Sequence, residues 1–175
     1  PDSWDELPCG KTGEIWMTSP SLMLGFYCVT VEDGNVLVAD KSGTSWLRTG
    51  DLGELDQDGF LYLRGRIKRI YLAKGRNNSI YKLFPDRVER VIRECPHVLE
   101  CAVVVKSADG IFHVPVAFAA AQECTVYQVL QYCKDHLPEY MIPEDIRIVD
   151  HIPHTATGKI DYHLLESLVE EESQQ

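Results

Sequence analysis

The sequence has little of what marks nucleic-acid-binding and membrane-spanning proteins. It contains 17 basic against 27 acidic residues, a net charge of −10, and no basic face stands out, so we expect no nucleic-acid partner. Its longest apolar runs are the length of a strand, which is too short for a helix that crosses a bilayer. Hydrophobic residues still make up 45% of the 175 residues, which indicates a folded protein with a sizeable core.

Metal-binding patterns are also missing. No Cys-x-x-Cys pair occurs among the six cysteines, and Pro153 prevents His151 and His154 from sharing one helical face. We therefore expect no structural metal. Several cysteines fall within apolar patterns, where free cysteine packs as a small hydrophobe, and this favours a reduced, cytoplasmic protein. The six are Cys9, Cys28, Cys95, Cys101, Cys124 and Cys133.

The chain begins at Pro1, without a basic and apolar leader after it. We interpret it as a piece of a longer polypeptide that starts within a fold.

The first part of the chain, to about residue 64, shows no helical period and is typical of short strands joined by tight turns. Strands are predicted at 13–18, 23–31, 36–38 and 60–63, with turns at 32–35 and 56–59. Residues 46–51 are predicted to form a connection. The fold expected for residues 1–67 is therefore a β-rich segment, a distorted barrel.

Beyond residue 67, helix and strand patterns alternate, which predicts a small α+β domain over 68–175 with a three-stranded sheet flanked by helices. Helices are predicted at 85–95, at 125–137 after a Thr125–Gln128 capping box, and after Asp161 as N-cap; strands are predicted at 99–105, 114–121 and 146–149, and a polar tail at 170–175. The helical side chains predicted to face the core are Val88, Val91, Ile92, Cys95, Val126, Val129, Leu130, Cys133, Leu137, Leu164, Leu165 and Leu168.

One stretch near the C-terminus carries a candidate catalytic residue. Residues 153–161 (Pro-His-Thr-Ala-Thr-Gly-Lys-Ile-Asp) combine threonines and Gly158 in a pattern typical of a solvated turn. Lys159 is then a positive charge on a flexible stem, which a moving loop could deliver to a phosphate or a carboxylate. An isolated Gly-Lys pair is more often an ordinary surface turn, so the other motifs of the chain must decide.

Two further motifs suit nucleotide binding. In residues 46–53 (Trp-Leu-Arg-Thr-Gly-Asp-Leu-Gly), Asp51 follows a Thr-Gly pair and could accept hydrogen bonds from both hydroxyls of a ribose. Arg66 follows Gly65 at the predicted end of a strand and could reach the same sugar or a phosphate. Taken singly, the first would be an ordinary turn aspartate and the second a surface ion pair.

Together, and in this order, the three motifs resemble the closing portion of the AMP-forming adenylate-forming superfamily, whose members include acyl-CoA synthetases, non-ribosomal peptide adenylation domains and firefly luciferase. The resemblance covers residues 13–168 and includes 137–143 (Leu-Pro-Glu-Tyr-Met-Ile-Pro). It implies the C-terminal part of an ATP-dependent ligase that forms an acyl-adenylate and then a thioester.

The resemblance also implies roles for single residues. Asp51 and Arg66 would bind the ribose of AMP, and Lys68 would be the hinge about which a small mobile C-terminal lid domain rotates. Lys159 would contact the α-phosphate and the attacking carboxylate during adenylation. Gly75 would belong to the loop that lines the pantetheine tunnel.

The same resemblance implies ATP/AMP, Mg²⁺ and CoA or phosphopantetheine as cofactors, and a carboxylic acid with either CoA or a carrier protein as partners. The ligands of Mg²⁺ and the acyl pocket are expected upstream of Pro1, so this piece alone should be inactive. The sequence departs from the family pattern in two places, a longer segment between Gly75 and Pro85 and Arg87 in place of a glutamate, although Glu89 is kept. Two alternatives therefore stay open: an adenylation domain that loads a carrier protein, and a stand-alone nucleotide- or partner-binding module without catalysis.

Overall fold

The computed structural model describes residues 5–25 and 36–172. The chain divides into two compact units, Pro1–Lys68 and Arg69–Gln175, called here the first and the second unit. Most of the predicted strand 23–31, the predicted turn 32–35, Cys28 and the end of the predicted polar tail lie outside the described residues. The predicted α+β class is confirmed, and the elements of each unit follow.

The first unit contains a four-stranded antiparallel sheet built around one long strand. Its strands are β1 (Gly13–Met17), β2 (Leu37–Ala39), β3 (Ser45–Leu55) and β4 (Leu61–Arg66). Leu47 pairs with residues of both β1 and β2, and Leu52 pairs with residues of both β1 and β4. Therefore β1 lies along one edge of β3, while β2 and β4 share the other.

The predicted connection at 46–51 is wrong, because these residues lie inside β3, the longest strand of the sheet. Their Thr-Gly-Asp sequence has turn chemistry, but the segment is paired on either side of Thr49 and Gly50, with β1 and β2 at Leu47 and with β4 at Asp51. The turn predicted at 56–59 is confirmed: the Asp56 side chain accepts hydrogen bonds from the backbone N–H groups of Asp58 and Phe60, both at 2.9 Å.

The second unit contains a three-stranded sheet, as predicted. Strand β8 (His113–Ala121) lies in the middle, antiparallel to β7 (Val98–Ser107) and parallel to β9 (Asp145–Val149). The helices are α1 (Pro85–Arg93), α2 (Val126–His136) and α3 (Tyr162–Glu172). The sequence did not predict the hairpin of β5 (Tyr71–Lys74) and β6 (Ile80–Leu83). Its turn and second strand lie in the segment between Gly75 and Pro85 that departs from the family pattern.

Both faces of this sheet are covered, because alternate residues of β7 and β8 enter two separate apolar clusters. Cys101 and Val103 pack with buried residues of α1 and α2. Ala102 and Val104 pack on the opposite face with Leu165 and Val169 of α3 and with Ile152. The capping box at Thr125 and Gln128 is confirmed, and so is the burial of Cys95, Cys101 and Cys133.

Three of the predicted core side chains face outward. Val126, Leu164 and Leu168 are 44%, 46% and 41% exposed. In α3 the buried pair is Leu165 and Val169, one helical turn apart, so the neighbouring leucines fall about 100° away around the helix axis. Val126 is the first residue of α2, ahead of the turn that meets the core.

Among the described residues no helix is both long and apolar enough to cross a membrane.

Candidate functional site

Asp51 and Arg66 form an ion pair on the sheet of the first unit. They are directly opposite each other in the register of β3 and β4, and Arg66 Nε donates a hydrogen bond of 2.8 Å to Asp51 Oδ1. The two side chains are 31% and 66% exposed, respectively. The structure thus brings the two predicted nucleotide-binding residues together, with the outer parts of both groups open to solvent.

The backbone that carries Asp51 is held by its neighbours. Thr49 Oγ1 donates to the carbonyl of Ile15 at 2.8 Å and accepts from the N–H of Asp51 at 3.1 Å. Arg48 Nη2 pairs at 2.9 Å with Glu14, whose side chain is buried. Burial alone would raise the pKa of Glu14, but hydrogen bonds from Arg48 and Trp16 and the charge of Arg48 bring that pKa below its ordinary value.

Lys68 is the last residue of the first unit and is exposed. It lies in the middle of a single 3₁₀ turn, Ile67–Arg69, between β4 and β5. Its hinge role stays a prediction.

Lys159 lies at the exposed tip of residues 153–161, called here the Lys159 loop. Within the loop, the N–H of Thr155 donates to the carbonyl of Lys159 at 2.7 Å, and the N–H of Gly158 donates to the carbonyl of Thr155 at 2.9 Å. Gly158 has φ of 77°, a left-handed conformation that glycine adopts without steric cost. Among the described residues no hydrogen bond or ion pair involves the Lys159 ammonium.

The base of the Lys159 loop is closed and anchored. His154 and Ile160 form an antiparallel bridge, and the N–H of Asp161 donates to the carbonyl of Pro153 at 2.8 Å. His154 Nε2 lies 3.0 Å from Oε1 of Glu100 in β7. Asp161 then caps α3, as predicted, by accepting the N–H of Leu164 at 3.1 Å.

Gly75 follows β5 and begins the turn to β6. Its N–H donates to the carbonyl of Ser79 at 2.8 Å. The ring of Tyr81 comes so near that a Cβ at position 75 would lie 2.6 Å from Tyr81 Cε2. Tyr81 in turn stacks on Tyr140, with ring centroids 4.3 Å apart and an interplanar angle of 8°. The Tyr81 ring therefore leaves no room for a side chain at position 75.

A cleft of about 510 Å³ lies in the same part of the second unit. It is lined by Arg76, Lys134, Leu137, Glu139 and Ile142, and Arg76 forms an ion pair with Glu139.

The sequence did not predict a half-buried cluster in the second unit. Arg69, Asp86, Glu89 and Tyr162, called here the Arg69 cluster, meet although they are far apart in the sequence. Arg69 pairs with both carboxylates, and Glu89 is only 4% exposed. Burial alone would lower the pKa of Arg69, but the charges of Glu89 and Asp86 outweigh it and raise that pKa above its ordinary value. The only hint of this cluster in the sequence was that Glu89 matches the family pattern. Arg87, which departs from that pattern, is exposed and lies outside the cluster.

No three acidic, histidine or cysteine side chains lie together as metal ligands in the part of the chain that the structure describes.

Known proteins share both the sequence pattern and the fold. Residues 87–159 match the family model of the AMP-binding enzyme C-terminal domain. A putative acyl-CoA ligase of Bacillus subtilis is 35% identical over 168 residues, which cover 94% of this chain and 31% of that protein.

Two solved structures are similar over nearly the whole chain. The amide bond synthetase McbA from Marinactinospora thermotolerans has 30% identity and a TM-score of 0.79, over 96% of this chain and 33% of that one. The o-succinylbenzoate CoA synthetase MenE from Bacillus subtilis, in complex with its acyl-adenylate intermediate, has 27% identity and a TM-score of 0.74, over 91% and 31%. The chain thus spans about a third of the length of these proteins.

Proposed function

Since this chain belongs to the adenylate-forming superfamily, with an AMP-binding enzyme C-terminal domain at residues 87–159, we propose that it serves an ATP-dependent carboxylic acid ligase. In the first half-reaction a carboxylate oxygen attacks the α-phosphorus of ATP, which gives acyl-AMP and pyrophosphate. In the second, a thiol attacks the acyl carbon, which gives a thioester and AMP.

Asp51 and Arg66 bind the ribose of the nucleotide in this proposal. Arg66 occupies one carboxylate oxygen of Asp51, which orients the other oxygen without neutralising its ability to accept hydrogen bonds from two neighbouring hydroxyls.

Lys159 is the proposed catalytic residue of the first half-reaction. Negative charge accumulates on the oxygens of the α-phosphate as the carboxylate attacks, and a placed ammonium group stabilises that charge. The observation that carries the proposal is the state of Lys159: its backbone is pinned by the loop, while its ammonium group is exposed and has no partner among the described residues.

Lys68 is the proposed hinge between the two half-reactions. Rotation of the second unit about this residue would withdraw Lys159 after adenylation and bring the Gly75 turn to the acceptor thiol. Gly75 suits such a place because its backbone N–H and C=O groups are already bonded within the turn, and because glycine has no side chain of its own that could obstruct a narrow pantetheine arm.

CoA is the proposed acceptor, and the cleft beside the Gly75 turn carries two cations, Arg76 and Lys134, on its wall. Amines are a second class of acceptor to assay, since one similar solved structure is an amide bond synthetase. The segment after Gly75, which departs from the family pattern, also lies at the proposed acceptor site. A phosphopantetheine-bearing carrier protein is the third acceptor. ATP, Mg²⁺ and a cytoplasmic location belong to the same proposal.

The test is Lys159→Ala in the full-length protein. Loss of one electrostatic group that acts on the transition state typically lowers kcat by about 10²–10³-fold, so acid-dependent ATP–pyrophosphate exchange should fall by that factor. Acyl transfer from supplied acyl-AMP to CoA should survive. Lys41→Ala removes an exposed turn lysine of the first unit and serves as the matched control.

Exchange that is unchanged in Lys159→Ala would remove the assigned role. Absence of exchange with a broad panel of carboxylic acids in the wild-type protein would instead favour a module that binds without catalysis. Product analysis with CoA, carrier protein and amines then identifies the acceptor.

A further inference from the structure

The Arg69 cluster joins the start of the second unit to the end of the Lys159 loop. Arg69 is the first residue of the second unit, directly after Lys68. Tyr162 is the first residue of α3, directly after the loop that ends at 161. The Arg69 guanidinium lies over the Tyr162 ring, 4.1 Å from its centroid. A short path of side-chain contacts therefore connects the residue after the predicted hinge with the end of the Lys159 loop.

Glu89 holds this path together. Its Oε1 accepts three hydrogen bonds, from Arg69 Nη2 at 2.8 Å, from the backbone N–H of Val103 at 2.9 Å and from the Tyr162 hydroxyl at 3.1 Å. Arg69 also donates to the carbonyl of Val103 at 2.7 Å. Both charged side chains are thus tied to the backbone of β7, the strand that also carries Glu100, the partner of His154 at the loop base.

A cluster of this kind has little reason to exist for stability alone. Buried ion pairs often contribute no more than an apolar replacement of the same size, because both charges lose their hydration. In some proteins such pairs instead fix a single geometry, since a shift would leave a buried charge unpaired. Residues fixed in this way transmit a change of orientation as a rigid body.

We propose that Arg69, Glu89 and Tyr162 are positioning residues that hold the Lys159 loop in one orientation relative to the hinge end of the second unit. When the second unit rotates about Lys68, the Lys159 loop then moves with it and keeps its own conformation. The kinetic consequence of this inference rests on the proposed function. Its structural consequence, the rigidity of the Lys159 loop, is independent of the proposed function.

The kinetic test is Tyr162→Phe in the full-length enzyme, because this change removes one hydroxyl and keeps the ring over Arg69. A misplacement of about 1 Å can cost up to about 100-fold in rate, so the kcat of ATP–pyrophosphate exchange is expected to fall about tenfold. The KM for ATP and the transfer of acyl groups from supplied acyl-AMP should change less than about twofold. Tyr127→Phe, the same change on an exposed face of α2, is the control.

A double variant separates positioning from mere stability. In a Lys159→Ala background Tyr162→Phe should cause no further loss of exchange, because the group that it positions is gone. An equal loss in both half-reactions, or a loss that persists without Lys159, would overturn the proposal. Wild-type protein without acid-dependent exchange, or unchanged exchange in Lys159→Ala, would instead count against the proposed function.

The structural test does not depend on activity. Amide hydrogen exchange of the loop amides at Thr155, Gly158 and Asp161 should become at least about tenfold faster in Tyr162→Phe, because their hydrogen bonds open when the loop base is released. Amides of the β7–β8 pair should keep their wild-type protection. Unchanged protection of the loop in Tyr162→Phe would refute the positioning role, whatever the enzyme assays give.

Discussion

Gly75→Ala is expected to destabilise the β5–β6 hairpin, because the added methyl group would collide with Tyr81. A Cβ at position 75 would lie 2.6 Å from Tyr81 Cε2 and 3.3 Å from Cδ2, which is closer than carbon atoms approach. The ring cannot retreat without leaving its stack on Tyr140. Since aromatic pairs contribute about 0.5–1.5 kcal/mol beyond their buried area, we expect a loss of about 1 kcal/mol in the free energy of unfolding.

The sign of the effect should reverse when the ring is absent. Gly75 is not among the glycines with positive φ, and its next nearest atom, the carbonyl oxygen of Ser79, is at an ordinary contact distance of 3.6 Å. Alanine at a compatible position stabilises by about 0.4–1 kcal/mol, because it reduces the entropy of the unfolded chain. In a Tyr81→Ala background, Gly75→Ala should therefore be neutral or stabilising.

Two spectroscopic signals separate the units in a urea titration. All three described helices lie in the second unit, so ellipticity at 222 nm reports its unfolding. The three tryptophans, at positions 4, 16 and 46, lie in the first unit, so their fluorescence is an internal control that should not shift. An equal destabilisation with and without the Tyr81 ring would refute the close approach as the reason for glycine.

Two further predictions concern stability. Burial, with the charge of Glu89, raises the pKa of Cys101 from 9.0 to about 12 and that of Tyr162 from 10.0 to about 12. The unfolded chain releases these protons at lower pH than the folded chain does. The contribution of the two groups to the free energy of unfolding should therefore be fully present below pH 9 and be lost as the pH rises towards 12. The ceiling for Cys101 is roughly 4 kcal/mol, and urea midpoints in Cys101→Ala should show a shallower slope above pH 9 than wild type. A slope that Cys101→Ala leaves unchanged would exclude this thiol. Asp161→Ala should lower the free energy of unfolding by about 1 kcal/mol through loss of the α3 cap, whereas Asp135→Ala, on an exposed face of α2, should change the urea midpoint at 222 nm little.

The sequence predicted most strands and helices where a single periodic pattern covers the element. It failed where tertiary partners decide. Residues 46–51 have turn chemistry, yet pairing with β1, β2 and β4 makes them part of the long strand β3. The β5–β6 hairpin was missed because its strands are only four residues each and its outward positions carry large side chains such as Ile80 and Tyr81.

The candidate site divides in the same way. Motifs that are contiguous in the chain named Asp51, Arg66 and Lys159, and the structure pairs the first two and exposes the third. The Arg69 cluster left no such mark, because Arg69 is 20 residues from Glu89 and Glu89 is 73 residues from Tyr162. Buried polar partners at these separations become visible only once the fold brings them together.

A lysine that acts in one half-reaction and then departs needs a loop that is stiff at its base and free at its tip. Ordering a flexible backbone costs about 1–2 kcal/mol per residue, so a loose loop of residues 154–160 would spend roughly 10 kcal/mol in each cycle. That amount is comparable with the whole contribution expected from correct placement. The His154–Ile160 bridge and the Asp161 cap meet this cost during folding, which leaves only the side chain of Lys159 to be ordered in the proposed adenylation step.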